Sequence, residues 1–289
     1  MATLLGGASC EKKSSSSGGS ADVIGAIDRA GPVDTTPLPG VDVSGLSAKQ
    51  QDTFYRLAAS LTSPCGKAHS LRTSIATDTA CKRAPFAGRY VAALLEDEAP
   101  EKDVRELYAS KYKPDAPPET FKLDGAPHHG PTDAPVQLVE FFDYGCPVCV
   151  QFHPELEAAI EKSDGAAVVY FKMFPLVSRH PDSMSAAQAA VAAAAQGKFD
   201  AMHKRLFERS PAHGKDAVVG YARELGLDLP TFEADYAAAE PKVRLDMAEG
   251  EAHQVNGTPT VFFAGRRYEG PLMAKYLALW IAEEAAVNR

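Results

Sequence analysis

Two cysteines two residues apart, Cys146-Pro147-Val148-Cys149, stand where the apolar stretch Val136-Gln137-Leu138-Val139-Glu140-Phe141-Phe142-Asp143-Tyr144 gives way to an amphipathic one. The first stretch reads as a buried strand and the second as a helix, so Cys146 falls at a helix N-terminus. Unpaired backbone N–H groups and the helix dipole favour an anion there. Such placement lowers a thiol pKa from about 8.5 to roughly 3.5–7. Thiolate is the nucleophile, so Cys146 is the expected attacking thiol. Cys149, one turn further in and facing the sheet, is placed to resolve a mixed disulfide. Pro147 suits the first helical position, where a missing N–H costs nothing. A C-x-x-C at such a junction reads as a dithiol/disulfide redox site. A zinc site needs about four ligands, and no second C-x-x-C or paired histidine motif follows at a suitable spacing, so no metal is expected. The competing readings are a static disulfide, or a docking or dimerisation module in which the C-x-x-C is vestigial.

Two further features belong to the same chemistry. Val255-Asn256-Gly257-Thr258-Pro259-Thr260-Val261-Phe262-Phe263 is a turn whose proline leads into a second apolar strand. Glu140 interrupts the apolar run before the cysteines, an unusual place for a carboxylate unless it is functional or edge-facing and solvated.

The elements that must position these residues fall into three stretches. The chain has 289 residues, long enough for one large or two modest domains, with 45% hydrophobic and 24% charged residues. A net charge of −8 without a basic block excludes nucleic acid as an expected partner, and no apolar run has the length needed to cross a bilayer. Five cysteines (Cys10, Cys65, Cys81, Cys146, Cys149) suit an oxidising, extracytoplasmic compartment. Residues 1–45 are linker-like and expected to be disordered. Within them Leu4-Leu5-Gly6-Gly7-Ala8-Ser9-Cys10 resembles the end of a bacterial lipoprotein signal, with Cys10 as the lipidated residue and the Ser/Gly-rich stretch after it as a tether. Gly7 stands where Leu is usual, and no charged or full apolar region precedes it; an exposed cysteine in a tail is the alternative. Residues 46–113 read as helices. Ser47 is the expected cap of a helix carrying Phe54, Leu57, Ala58 and Leu61, with further helices from about 85 and about 100. Prolines 114, 117 and 118 make a stiff connector. Residues 119–289 read as strands at 121–123 and 136–143, a helix at 147–162, a strand at 167–174, a helical block over about 180–255, a hairpin of 260–264 with 266–269, and a closing helix at 272–287.

That order, and the residues themselves, resemble the DsbA-like branch of the thioredoxin superfamily over residues 119–289. The resemblance rests on Asp133-Ala134-Pro135-Val136, Glu140 through Pro147, Lys172-Met173-Phe174-Pro175-Leu176, His180-Pro181, Gly197-Lys198-Phe199, Met202-His203, Leu206-Phe207, Leu225-Gly226-Leu227-Asp228 and Gly257-Thr258-Pro259-Thr260. It implies an α/β thioredoxin fold with an inserted helical subdomain, here preceded by a small all-α domain. It implies that Pro259 is cis, with Thr258 and Pro259 beside the cysteine pair where substrate adds as a short strand. Glu140 matches a buried acid that influences the proton of Cys149. His153 falls where strong oxidases of the family carry another acid, and is expected to be a solvated helix histidine; His180 and His203 are expected to pack or cap. The activity that the resemblance implies is that of an extracytoplasmic, periplasmic-type thiol–disulfide oxidoreductase, without cofactor, that exchanges disulfides with protein substrates and a membrane redox partner. Val148 departs from the Pro-His dipeptide of strong oxidases, which predicts a potential less oxidising than about −120 mV. Thr258 is also more typical of isomerases and reductases, so the direction of electron flow stays open.

The stretch Ala84-Pro85-Phe86-Ala87-Gly88-Arg89-Tyr90, with 94–98 and 103–112, resembles the three-helix thiol domain of CcmH, a cytochrome c maturation protein. There a C-x-x-C follows the first helix; here Ser63-Pro64-Cys65-Gly66 stands alone, with Cys81 sixteen residues on. A Cys65–Cys81 bridge would stabilise a small core by roughly 3 kcal/mol. A second redox centre relaying electrons to Cys146–Cys149 is the alternative, and apo-cytochrome c as substrate rests on this resemblance alone.

Overall fold

The computed structural model describes residues 33–113 and 117–288. Four helices come first: α1 (Ala48–Ser60), α2 (Leu71–Thr77), α3 (Ala84–Glu96) and α4 (Glu101–Lys111). Ser47 caps α1 in a capping box with Gln50. Phe54, Leu57, Ala58, Leu71, Val91, Leu94 and Val104 close a core among the four helices. The short α2, between the two cysteines, is not legible in a window without apolar periodicity. The linker reading of residues 1–45 needs correction where they are described. Leu38 and Val41 are buried in the helical core, and a side chain on Gly88 would strike Val41 at 2.6 Å. Pro37-Leu38-Pro39 and the turn at Gly40 carry two large apolar groups that the helices cannot leave in water. Cys10, and the lipid anchor expected on it, lie outside the described residues.

The second part carries β1 (His128–His129), β2 (Val136–Phe142), α5 (Pro147–Glu161), β3 (Ala167–Met173), α6 (Ser183–Ala195), α7 (Phe199–Glu208), α8 (Lys215–Glu224), α9 (Leu229–Ala238), α10 (Glu240–Ala252), β4 (Thr260–Phe263), β5 (Arg266–Arg267) and α11 (Ala274–Val287). The sheet order is β1-β3-β2-β4-β5. β2 and β3 run parallel, with Val136 opposite Ala167, and β4 runs antiparallel to β2, with Phe141 opposite Thr260. Both central strands are buried on two faces, which is why they read as near-continuous apolar runs. Val136, Leu138 and Phe142 face α5 and the inserted helices α6–α10, whereas Val139 and Phe141 face the other way, onto Phe174 and Val255. This is the thioredoxin fold with an inserted helical subdomain. The strand expected at 121–123 is absent. Phe121 instead lies across the sheet face, its ring 4.8 Å from Phe262 and 5.8 Å from Phe141, and Lys122 N–H goes to the Glu249 carboxylate at 2.7 Å rather than to a ladder.

α11 belongs to both cores. Leu277, Trp280 and Ile281 pack under the sheet, while Tyr276 packs among the N-terminal helices and donates to Asp97 at 2.7 Å. Beside it Glu283 and Glu284, both buried, meet Arg83 at 2.9 and 2.7 Å, and Glu283 also meets Lys111 at 3.0 Å.

Candidate active site

Cys146 is the N-cap of α5, and its side chain makes no capping bond. The open first-turn N–H groups therefore face its sulfur. The loop that delivers it is fixed by Asp143. This fully buried carboxylate accepts from Gly145 N–H at 2.8 Å, from Leu176 N–H at 2.9 Å and from the Ser183 hydroxyl, and bonds His180 Nδ1 at 2.7 Å. One side chain thus ties the end of β2 to the start of the helical insertion. A Cβ on Gly145 would meet Ser183 Oγ at 2.6 Å and His180 at 2.8 Å, so the close approach needs glycine. Sequence reasoning places Asp143 within a motif and misses its role; a lone Asp between an apolar strand and Gly-Cys is the available signal.

The Thr258–Pro259 peptide is cis and brings the Thr258 carbonyl to 3.4 Å from Cys146 Sγ. Cys149 is 0% exposed and Cys146 6%, and both are free thiols. The Cys149 thiol, donating to the Cys146 sulfur, is the main cause that lowers Cys146 to about 5; burial opposes it, and Thr258 with the N–H groups of Cys149 and Val148 adds to it. The Thr258 hydroxyl is buried without a partner in the thiol form, available to donate once the sulfur ionises. The side chain of Val148 is not needed for any of this. Burial pushes Cys149 far up, with the hydrogen bond to Cys146 and the Glu140 charge acting the same way.

Glu140 sits opposite Phe171 on β3 and Val261 on β4. It is 1% exposed, and neither carboxylate oxygen has a partner. Burial, then the Glu157 charge, raises its pKa to about 8. His153 is not the solvated histidine expected. It stacks on Phe207 at 4.3 Å and approaches His203 at 4.7 Å, with only Nε2 directed toward Glu157 at 3.4 Å; burial holds it at about 4. The helical insertion, whose α7 supplies Phe207 and His203, covers a helix face that would otherwise be open. His203 bonds the Tyr144 hydroxyl at 2.7 Å, and His180 braces Asp143.

The structure thus brings Cys146, Cys149, Thr258, Pro259 and Glu140 together. Cys65 and Cys81 form a disulfide with a Cα separation of 5.9 Å. Their neighbour Arg266 lies beyond Phe263, at the end of β4 opposite Thr260 and hence away from the C-x-x-C. That placement argues against direct exchange between the two pairs within one molecule. Val148 and Val177 are exposed apolar residues beside the site. Next to them Pro147, Val150, Pro181 and Pro211 line a cavity of about 630 Å³.

Against known proteins, a family model described as Thioredoxin matches residues 122–283; it does not reach the N-terminal helices. The Na(+)/H(+) antiporter NhaA 1 of Mycobacterium sp. (strain KMS) is 36% identical over 146 residues, 49% of this chain and 24% of that protein. The chain therefore spans about a quarter of the length of the curated relatives it matches. Among the described residues no helix is long and apolar enough to cross a membrane. Of solved structures, BdbD from Bacillus subtilis aligns with 22% identity and a TM-score of 0.53, covering 59% of this chain and 98% of that one. A thioredoxin-like oxidoreductase from Silicibacter pomeroyi aligns with 30% identity and a TM-score of 0.49, covering 55% and 91%.

Proposed function

The chain belongs to the thioredoxin family, and from that premise we propose that it is an oxidoreductase of the DsbA-like type that exchanges disulfides with extracytoplasmic protein thiols through Cys146 and Cys149. The observation that carries the reading is the meeting of Cys146 Sγ and the Thr258 carbonyl at 3.4 Å across a cis peptide. An incoming cysteine can there form a mixed disulfide while its backbone pairs with Thr258. The two site shifts favour disulfide donation. A substrate thiolate attacks the Cys146 sulfur of the oxidised pair, and the S–S bond breaks toward Cys149. Cys149 leaves as a thiolate that its buried surroundings cannot hold, and Glu140, protonated at neutral pH, gives it a proton. A second substrate thiolate then attacks the substrate sulfur and releases Cys146 as a stabilised thiolate. The substrate chain continues from Cys146 over Pro147 into the groove beside Val150 and Pro181. Periplasmic location and a membrane partner that reoxidises the pair complete this reading.

Apo-cytochrome c is not favoured as the particular substrate. The N-terminal helices carry a closed Cys65–Cys81 disulfide where the resembling family carries an open dithiol. Similarity to a quarter of an antiporter's length brings no ion transport with it.

The test is the reduction potential of Cys146–Cys149 in glutathione buffers. Values above about −180 mV, nearer the strong oxidases than thioredoxin at about −270 mV, are expected of a donor. A value near thioredoxin's overturns the donor direction. Failure of Cys149→Ser, whose lone Cys146 thiolate can attack a substrate disulfide but not be resolved, to accumulate mixed disulfides with disulfide-bonded protein substrates overturns the enzymatic reading itself.

A further inference from the structure

A bridge such as Cys65–Cys81 is ordinarily a staple for a small core, but this one is not the sole tie on its loop among the described residues. The loop it closes is also held by the Lys67–Asp78 ion pair at 2.7 Å, by Ser63 N–H to the His69 carbonyl and Leu71 N–H to the Leu61 carbonyl, and by the bridge of Thr62 with Ser70. The two sulfurs differ in access. Cys65 is exposed, whereas Cys81 is 3% exposed. Cys65 also lines a cavity of about 540 Å³ whose charged lining is wholly basic: Lys82, Arg83, Lys111, Lys113 and Arg266. Glu283 and Glu284 neutralise Arg83 and Lys111 from behind. Among the described residues Lys113 and Arg266 form no ion pair, and both are exposed. An electrophilic sulfur therefore sits at the mouth of a cavity whose own charged lining is basic, at the end of the sheet away from Cys146.

We propose that Cys65–Cys81 is a second thiol-exchange site, in which a small thiol bearing carboxylates attacks Cys65 and expels Cys81. The thiolate forms a bond to Cys65 Sγ, the Cys65–Cys81 bond breaks, and its electron pair leaves on Cys81 Sγ, which takes a proton from water. A second thiolate of the same kind attacks the small-thiol sulfur of the adduct and frees Cys65 as a thiolate. Two small thiols are oxidised to their disulfide and Cys65–Cys81 is reduced by two electrons. The selectivity is electrostatic: the basic lining concentrates anionic thiols and repels cationic ones.

The experiment uses the full chain with Cys146→Ser and Cys149→Ser, so that only this disulfide reacts, and reads adducts by intact mass and peptide mapping in the linear phase. Glutathione and cysteamine are compared at equal thiolate concentration and low salt. The expected result is an adduct on Cys65, with Cys81 trapped by alkylation. Glutathione should react roughly tenfold or more faster than cysteamine, with the advantage collapsing at high salt and in a Lys113→Gln/Arg266→Gln variant. Equal rates for the two thiols, an adduct on Cys81, or a disulfide left intact by glutathione overturns the proposal. Because the Cys146–Cys149 pair is measured separately in the native chain, failure here leaves the main site untouched, and failure there leaves this one untouched.

Discussion

Glu140 and Cys146 are shifted in opposite senses by one small region, and each shift has a pH signature. The carboxyl, held protonated up to about pH 8 by burial without a partner, should supply the proton that Cys149 needs on leaving. Glu140→Gln keeps the volume but cannot give up a proton, so the donor step should slow, by roughly 10²-fold for a lost acid. In the parent the donor rate per substrate thiolate should fall as pH rises through about 8, and the variant should lose that dependence; stopped-flow reaction with a reduced peptide reads both. The stability effect has the other sign. The folded pKa lies above the unfolded one, so the folded state binds the extra proton between about 4.5 and 8, and stability drains away as pH rises through that window. Glu140→Gln should therefore stabilise the protein at pH 8.5 by a few kcal/mol in urea titrations and change little at pH 4.5. Glu140 is legible in the sequence because a carboxylate in an apolar strand is conspicuous. His153 is not: nothing in its helix says that α7 will cover it.

At the scale of elements, α11 and the loop at Asp143 do what no single-segment pattern announces. α11 reads as an ordinary amphipathic closing helix, and its apolar residues under the sheet are legible as such. Its second face, with Tyr276, Glu283 and Glu284, joins the N-terminal helices through partners some 200 residues away, and sequence carries no local trace of so remote a pairing. Glu283 is 1% exposed and serves Arg83, Lys111 and Tyr112 together. Removing it strands a buried ammonium, so Glu283→Ala should cost roughly 3–5 kcal/mol. The loss should appear as early unfolding of the N-terminal helices, read by hydrogen exchange in α3 and α4, with the Cys146–Cys149 potential unchanged. A double replacement of Lys111 and Glu283 by apolar residues should recover part of it, since the penalty is that of an unpaired charge. The missing strand at 121–123 follows the same logic. Phe-Lys-Leu alternates as a strand should, yet the edge beside β4 is β5 (Arg266–Arg267), and Phe121 lies across the sheet face in aromatic contacts instead.

For the molecule as a whole, the fold is readable where strands and helices alternate in the order the thioredoxin architecture requires, and where C-x-x-C and Thr258-Pro259 mark the two loops that must converge. The strength with which the thiolate is held is not, because residue 148 speaks only for one side chain. Here the anion is supported by the Cys149 thiol, Thr258 and backbone N–H groups, none of which residue 148 can remove. Since only the dithiol form carries that anion, the reduced protein should be stabilised relative to the oxidised one in a pH-dependent way. The folded pKa of Cys146, about 5 against 9, is depressed, so the stabilisation is complete above pH 9 and is lost as pH falls through 5. At pH 7 it amounts to roughly 2 kcal/mol once solvent screening at the partly open sulfur is included. Urea titrations of the two redox forms from pH 4.5 to 7.5 should therefore show the reduced form gaining on the oxidised form by that amount. Val148→His should add little to the gap and Thr258→Val should narrow it. A gap that moves with residue 148 and not with Thr258 would mean that a side chain between the cysteines, not the cis-proline loop, tunes the thiolate. A gap that ignores pH would mean that no Cys146 thiolate is stabilised, and the molecule would then be a reductant built on the same frame.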